Sequence, residues 1–115
     1  MARLRSDFWV AAHLRRCGVE GVTAVLRRRG ASEAGAIFVK VDKLDGTASL
    51  YGPAPQSLVD DDVGGRLFTP VLASVAPYEI EDRMQREGRF DPDFWFVEIE
   101  DRAGRHFLDV EDGEA

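Results

Sequence analysis

The sequence predicts an α+β fold, an antiparallel sheet with helices packed on one face, in the order α-α-β-β-β-α-β-β. Three observations predict it. Ala36-Ile37-Phe38-Val39-Lys40-Val41-Asp42 is β-branched and alternating, and Asp45-Gly46 follows it with turn chemistry. Phe94-Trp95-Phe96-Val97-Glu98-Ile99-Glu100-Asp101 is a heavily aromatic strand launched from the turn Asp91-Pro92-Asp93. The segments before residue 30 and around residue 80 carry apolar residues at helical spacing, bounded by glycines.

The first helix is expected from Ser6, an N-cap residue type, to about Cys17, with Gly18 as its stop. Phe8, Val10, Ala11, Ala12 and Leu14 give it a broad apolar side. A second helix is expected over about Glu20 to Arg29, with Val22, Val25 and Leu26 inward and Arg27–Arg29 at a C-terminus that favours positive charge. The hairpin of residues 36–51 follows. Gln56 to Gly65, with Asp60-Asp61-Asp62, reads as an acidic loop.

Arg66 to Leu72 is a third strand, in which Pro70 requires an edge, a bulge or the end of pairing because it lacks an N–H. A helix starts at Pro77, with acids early, arginines late, Ile80 and Met84 as its i, i+4 apolar pair and Gly88 as its stop. In the next strand Trp95, Val97 and Ile99 share one face, and Phe94, Phe96, Glu98 and Glu100 share the other. Arg102 to Arg105 connects it to a short strand at His106-Phe107-Leu108. One domain is expected over residues 1–108, with an acidic frayed tail at 109–115.

Composition narrows the function classes. Hydrophobic residues make up 44% and charged residues 31%, an ordinary globular balance, and no apolar run approaches the roughly 18–20 residues of a membrane span. The basic N-terminus leads into no adequate apolar region or cleavage site, so the expected location is cytoplasmic, with no membrane partner. A single cysteine excludes an internal disulfide. Net charge is −6, yet residues 1–30 hold seven arginines against Asp7 and Glu20, so the remainder carries −11. The simplest account is that the basic segment neutralises the acidic rest of its own domain. The acidic balance and the lack of a DNA- or RNA-binding motif disfavour nucleic acid.

Catalytic and cofactor motifs are missing from the sequence: no Walker A, no G-x-G-x-x-G, no G-x-S-x-G and no H-E-x-x-H. No cofactor or metal is therefore expected. His13 and Cys17 share a helix face at i, i+4, but a structural zinc needs four ligands and only His106 remains. Asp91 and Asp93 fit turn chemistry better than a cation site. Glu98 and Glu100 lie roughly 6–7 Å apart by strand geometry, which a solvated strand end explains more simply than paired-carboxylate catalysis.

The element order resembles that of the acyl-CoA-dependent N-acetyltransferase superfamily. The Gly-containing pyrophosphate loop of that superfamily has no counterpart in Leu72-Ala73-Ser74-Val75-Ala76-Pro77, so this likeness is one of topology. The run from Arg89 to Arg102, with Ala34 to Val41 upstream, resembles a family of short alphaproteobacterial proteins known as domain of unknown function 1491. That resemblance spans nearly the whole chain. It implies a small bacterial protein with no assigned activity and no catalytic residues to carry over.

The preferred functional expectation is a non-enzymatic binding or adaptor module that engages protein, another copy or a different chain. Its candidate surface is the aromatic-acidic sheet face of Phe94, Phe96, Glu98 and Glu100 with Asp91 and Asp93 at the turn. One alternative is a divergent ligand-binding or transferase-like protein using Asp91, Asp93, Glu98, Glu100 and His106. Another is a nucleic-acid accessory using the basic N-terminal helices.

Overall fold

The chain folds around a strand that is buried on both faces. The computed structural model describes residues 4–55 and 66–111. The acidic loop expected around Asp60–Asp62 and most of the acidic tail fall outside these residues. The elements are α1 (Ser6–Val19), β1 (Thr23–Arg28), β2 (Ile37–Asp42), β3 (Ala48–Pro53), β4 (Leu67–Val75), α2 (Pro77–Phe90), β5 (Trp95–Glu100) and β6 (Asp109–Val110). Six strands form one mixed sheet in the order β1-β5-β2-β3-β4-β6. β5 pairs antiparallel with β1 and parallel with β2, and β4 pairs parallel with β6; the remaining pairings are antiparallel.

The α+β class therefore holds, while three details differ from expectation. The segment expected as a second helix is β1. The sheet is mixed because the chain leaves β4, runs through α2 and re-enters beside β2 as β5, a crossover that delivers a parallel neighbour. The helices lie on opposite faces. With β1 replacing a helix, the order that carried the likeness to the acetyltransferases becomes α-β-β-β-β-α-β-β.

The α1–β1 junction explains the first difference. Helix α1 continues through Gly18 and ends at Val19. Gly21 takes a positive φ of 75°, Gly21 N–H donates to the Gly18 carbonyl at 3.1 Å and Val22 N–H donates to the Cys17 carbonyl at 2.8 Å. This is a Schellman closure, and Val22 and Cys17 share the core beneath it. The reversed chain then runs directly into an edge strand. At the other end of α1, Ser6 is its first residue rather than its N-cap. The Ser6 and Asp7 N–H groups donate to the Glu33 and Ser32 carbonyls, and the buried Ser6 hydroxyl donates to Gly35 O at 2.7 Å.

Two cores sandwich the sheet. On the α1 face, Val10 and Cys17 pack on Ile37, Val39, Val41, Phe68, Trp95, Val97 and Ile99. On the α2 face, Ile80 and Met84 pack on Phe38, Leu50, Phe94 and Phe96. The 30–35 loop holds the start of β5: Ala31 N–H donates to Asp93 O, and Trp95 Nε1 donates to Ala31 O at 2.8 Å. A Cβ at Gly30 or Gly35 would collide with the Asp93 carbonyl, which accounts for glycine at both positions. Pro70 sits where β6, opposite only Leu67 and Phe68, no longer covers β4. Its missing N–H is therefore not needed on that side. The last strand lies at Asp109–Val110, just after the expected His106–Leu108.

Trp95 is 1% exposed and its indole N–H is satisfied. Trp95→Ala is expected to lower stability by about 3–5 kcal/mol in equilibrium denaturant unfolding.

Candidate functional site

Three features outside the plain core carry chemistry: a charge cluster on the α2 face, a histidine cluster beside α1, and the outward side of α1.

The charge cluster is built by three adjacent strands and one helix. Lys40 on β2 lies opposite Glu98 on β5, and Arg27 comes from β1 on the other flank of β5. A bulge between Leu26 and Arg28 breaks the β1–β5 register. The bulge directs Arg27 over the Phe96 ring at 4.9 Å and Arg28 over the Phe94 ring at 4.4 Å. Arg27 Nη1 donates to Glu98 at 2.6 Å, and its guanidinium pairs with Glu81 of α2 at 2.8 Å. Lys40 Nζ reaches Glu81 at 2.7 Å and Glu98 at 3.4 Å. Lys40 is 5% exposed, and the two carboxylates supply its ion-pair partners.

The electrostatics follow from this geometry. The Arg27 hydrogen bonds, with Lys40 adding to them and burial opposing, lower the Glu81 carboxyl to about 2. The same Glu81 hydrogen bond, together with Glu98, raises the Arg27 guanidinium above its ordinary value. Two cations and two anions balance locally. The cluster therefore ties α2 to β1, β2 and β5, with each charged group engaged by its neighbours.

The six residues expected as an interaction surface are distributed over this frame. Phe94 and Phe96 lie beneath α2, 3% and 5% exposed. Glu98 belongs to the charge cluster, and Glu100 is exposed at the far end of β5. Asp91 Oδ1 accepts the Asp93 N–H at 2.9 Å, the turn role expected from the sequence. The carboxylates of Asp91 and Asp93 stand at the opposite end of β5 from Glu100, so they do not converge with it. His106 lies on the other side of the molecule, against α1.

There, His13 is buried and stacked on Trp9 with ring centroids 4.7 Å apart. Its Nε2 lies 2.8 Å from His106 O; a carbonyl only accepts, so Nε2 carries the proton. His13 Nδ1 is buried with no partner. His106 Nδ1 accepts the Leu108 N–H at 3.0 Å, and the His106 ring rests on Tyr51. Burial lowers both imidazoles below the ordinary histidine range, and raises the buried Cys17 thiol. Among the described residues no three His, Cys, Asp or Glu side chains gather where they could hold a metal.

The third feature had no single signal in the sequence. α1 is apolar on two sides. Val10, His13 and Cys17 face the core, while Phe8, Ala11, Ala12, Arg15, Arg16 and Val19 line a shallow depression of about 420 Å³ on the outer side. Their spacing, i, i+3, i+4, i+7, i+8, i+11, is that of a helix stripe. Phe8 is 55% exposed and Val19 77%.

A family model described as "Protein of unknown function (DUF1491)" matches residues 4–109. The chain belongs to the DUF1491 family. The solution structure of protein Atu0922 from A. tumefaciens is 43% identical, with 96% of each chain covered and a TM-score of 0.83. The crystal structure of a DUF1491 family protein from Caulobacter crescentus CB15 is 40% identical, covering 94% of this chain and 97% of that one, with a TM-score of 0.78. An NMR structure of a DUF1491 family protein from the same organism is 40% identical with a TM-score of 0.79, covering 96% and 99%. No curated protein matches the chain. The DUF1491 resemblance read from the β5 segment is thus confirmed, and the family description assigns no function. Among the described residues no helix is long and apolar enough to cross a membrane.

Two outcomes test the charge cluster. Lys40→Ala leaves Glu81 and Glu98 short of a buried cation and is expected to destabilise by about 1–3 kcal/mol, less than for a fully buried pair because Glu81 reaches solvent. Because the folded Glu81 carboxyl lies below its ordinary value, its stabilisation is complete above the usual carboxylate range and is lost as pH falls from there through about 2. The melting-temperature gap between wild type and Glu81→Gln is therefore expected at pH 6 and should narrow steadily below about pH 4.3.

Proposed function

We propose that this protein is a non-enzymatic binding module whose docking surface is the outer side of α1, and that its partner is an amphipathic helix with acidic flanks. The exposure of Phe8 and Val19 at the two ends of one helical stripe carries this reading. A helix whose outer side served only solvation would show polar residues at those positions. Ala11 and Ala12, small and central, would let a second helix approach closely, with Phe8 and Val19 as end anchors.

Charge selects the partner. Arg15 and Arg16 line the same depression, and among the described residues Arg15 has no ion pair. Pairing α1 with the α1 of a second copy would bring four arginines together, whereas an acidic flank complements them. The expected aromatic-acidic sheet face enters this reading differently. Phe94 and Phe96 support α2 and Glu98 supports the charge cluster, so that sheet face is covered, whereas the outer side of α1 is open. The acidic balance of the whole chain and the engagement of Arg27 by carboxylates favour a protein partner over nucleic acid. An intracellular setting fits the lone buried Cys17.

The test is an NMR titration with a short synthetic helix carrying a leucine stripe and glutamate flanks, beside the same stripe with lysine flanks. The glutamate peptide is expected to shift the Phe8, Ala12, Arg15 and Val19 amides, to bind about tenfold more weakly to Ala12→Glu, and to weaken with salt. Equal binding of both peptides, binding of neither, or concentration-dependent self-association through the same amides would overturn the proposal.

A further inference from the structure

We infer that the segment His106–Leu108, anchored on its two sides by the Arg105–Asp101 pair and by β6 on β4, is a proton-released strap that narrows the α1 docking face at neutral pH and uncovers it on acidification. What is uncovered rests on the α1 reading above; the release of the strap stands on its own geometry.

The strap crosses the flank of α1 and is held by contacts that need two neutral imidazoles. His13 donates Nε2–H to the His106 carbonyl, so its lone pair sits on Nδ1, buried and unpartnered. A second proton would place a buried N–H there with no acceptor, which is costly. His106 accepts the Leu108 N–H at Nδ1, so protonation at that atom removes the acceptor and sets two donors against each other. Phe107, between them, sits at φ 58°, a left-handed conformation that is unfavourable for an aromatic residue and persists only while its surroundings hold it. The Arg16 guanidinium rests on the Phe107 ring at 4.9 Å, and Leu108 packs on the α1-side core.

The charged neighbours do not relieve the cost. The His106 ring and Arg16 on α1 both oppose protonation of His13. Glu20 is paired with Arg16, Arg105 with Asp101, and the Tyr51 ring of β3 faces His106. Among the described residues no carboxylate hydrogen-bonds to either imidazole. Both imidazoles lie below their ordinary value in the closed form. The closed strap is therefore fully favoured above about pH 6.5 and loses that advantage as pH falls below it.

The link to docking is spatial. A cleft of about 190 Å³ between α1 and the strap is lined by Trp9, Ala12, His13, Arg16 and Phe107. It shares Ala12 and Arg16 with the outer depression. Displacing the strap would join Trp9 and the His13 imidazolium to the docking face, enlarging its apolar area and strengthening its preference for an acidic helix.

The experiment follows the Leu108 amide and the Trp9 indole N–H by NMR from pH 7.5 to 5. In parallel, the affinity of the glutamate-flanked peptide is measured at pH 7.5 and 5.5. Wild type is expected to show both resonances titrating below about pH 6.5, and affinity rising about three- to tenfold at the lower pH. His13→Gln with His106→Asn keeps a donor and an acceptor at the same places without titrating, and is expected to show neither change. Unmoved resonances, or the same titration in the double variant, would overturn the strap. A moving strap with pH-independent affinity would overturn its coupling to docking. A titrating strap with no peptide binding at either pH would overturn the docking reading and leave the strap standing.

Discussion

The burial of β5 on both faces governs the rest of this structure. Its side chains alternate between Trp95, Val97 and Ile99 on one side and Phe94 and Phe96 on the other, and all five are apolar and large. Leaving either set in water would cost about 1.5–3 kcal/mol for each large side chain exposed. One helix cannot cover both faces. The chain therefore places α1 on one side and α2 on the other, and β5 takes an interior position between β1 and β2. The parallel pairing with β2 follows from the crossover through α2 that this arrangement requires.

The charge cluster is a consequence of the same constraint. Beyond Phe96 the α2 face of β5 turns polar at Glu98, while α2 still lies near enough to present Glu81. A half-buried acid beside a buried Lys40 needs compensation, and the bulge in β1 brings Arg27 into position to supply it. The three arginines at the end of β1 then stack on Phe96, Phe94 and Trp95 in turn. This edge strand is thus anchored by its charged end as well as by its backbone, and those charges also guard an exposed sheet edge against a second chain.

Legibility followed the strength of local signals. The β2–β3 hairpin, α2 and β5 were plain because β-branched alternation, Pro77 and the Asp91 turn each act within a few residues. β1 was misread because Val22, Val25 and Leu26 fit a helical stripe as well as they fit an edge strand with one exposed face. Gly21, not Gly18, decides the matter, and only its positive φ separates the two. The alternation of β5 was legible, yet which of its faces is open depended on where α2 packs. That is a tertiary fact, with a solvated-looking helix containing only Ile80 and Met84 as inward residues. The apolar residues of α1 were visible as one broad side. Their division into a core stripe and an outer stripe becomes evident only once Val10, His13 and Cys17 are seen to face the sheet.

The central claim is that both faces of β5 are sealed and that the outer side of α1 is an apolar surface left open. Solvent paramagnetic relaxation with a soluble, uncharged gadolinium chelate tests it directly, residue by residue. The side-chain resonances of Trp95, Phe94 and Phe96 should stay sharp while those of Phe8 and Val19 broaden strongly. Broadening at Phe94 and Phe96, or protection of Phe8 and Val19 in the dilute monomer, would contradict the account.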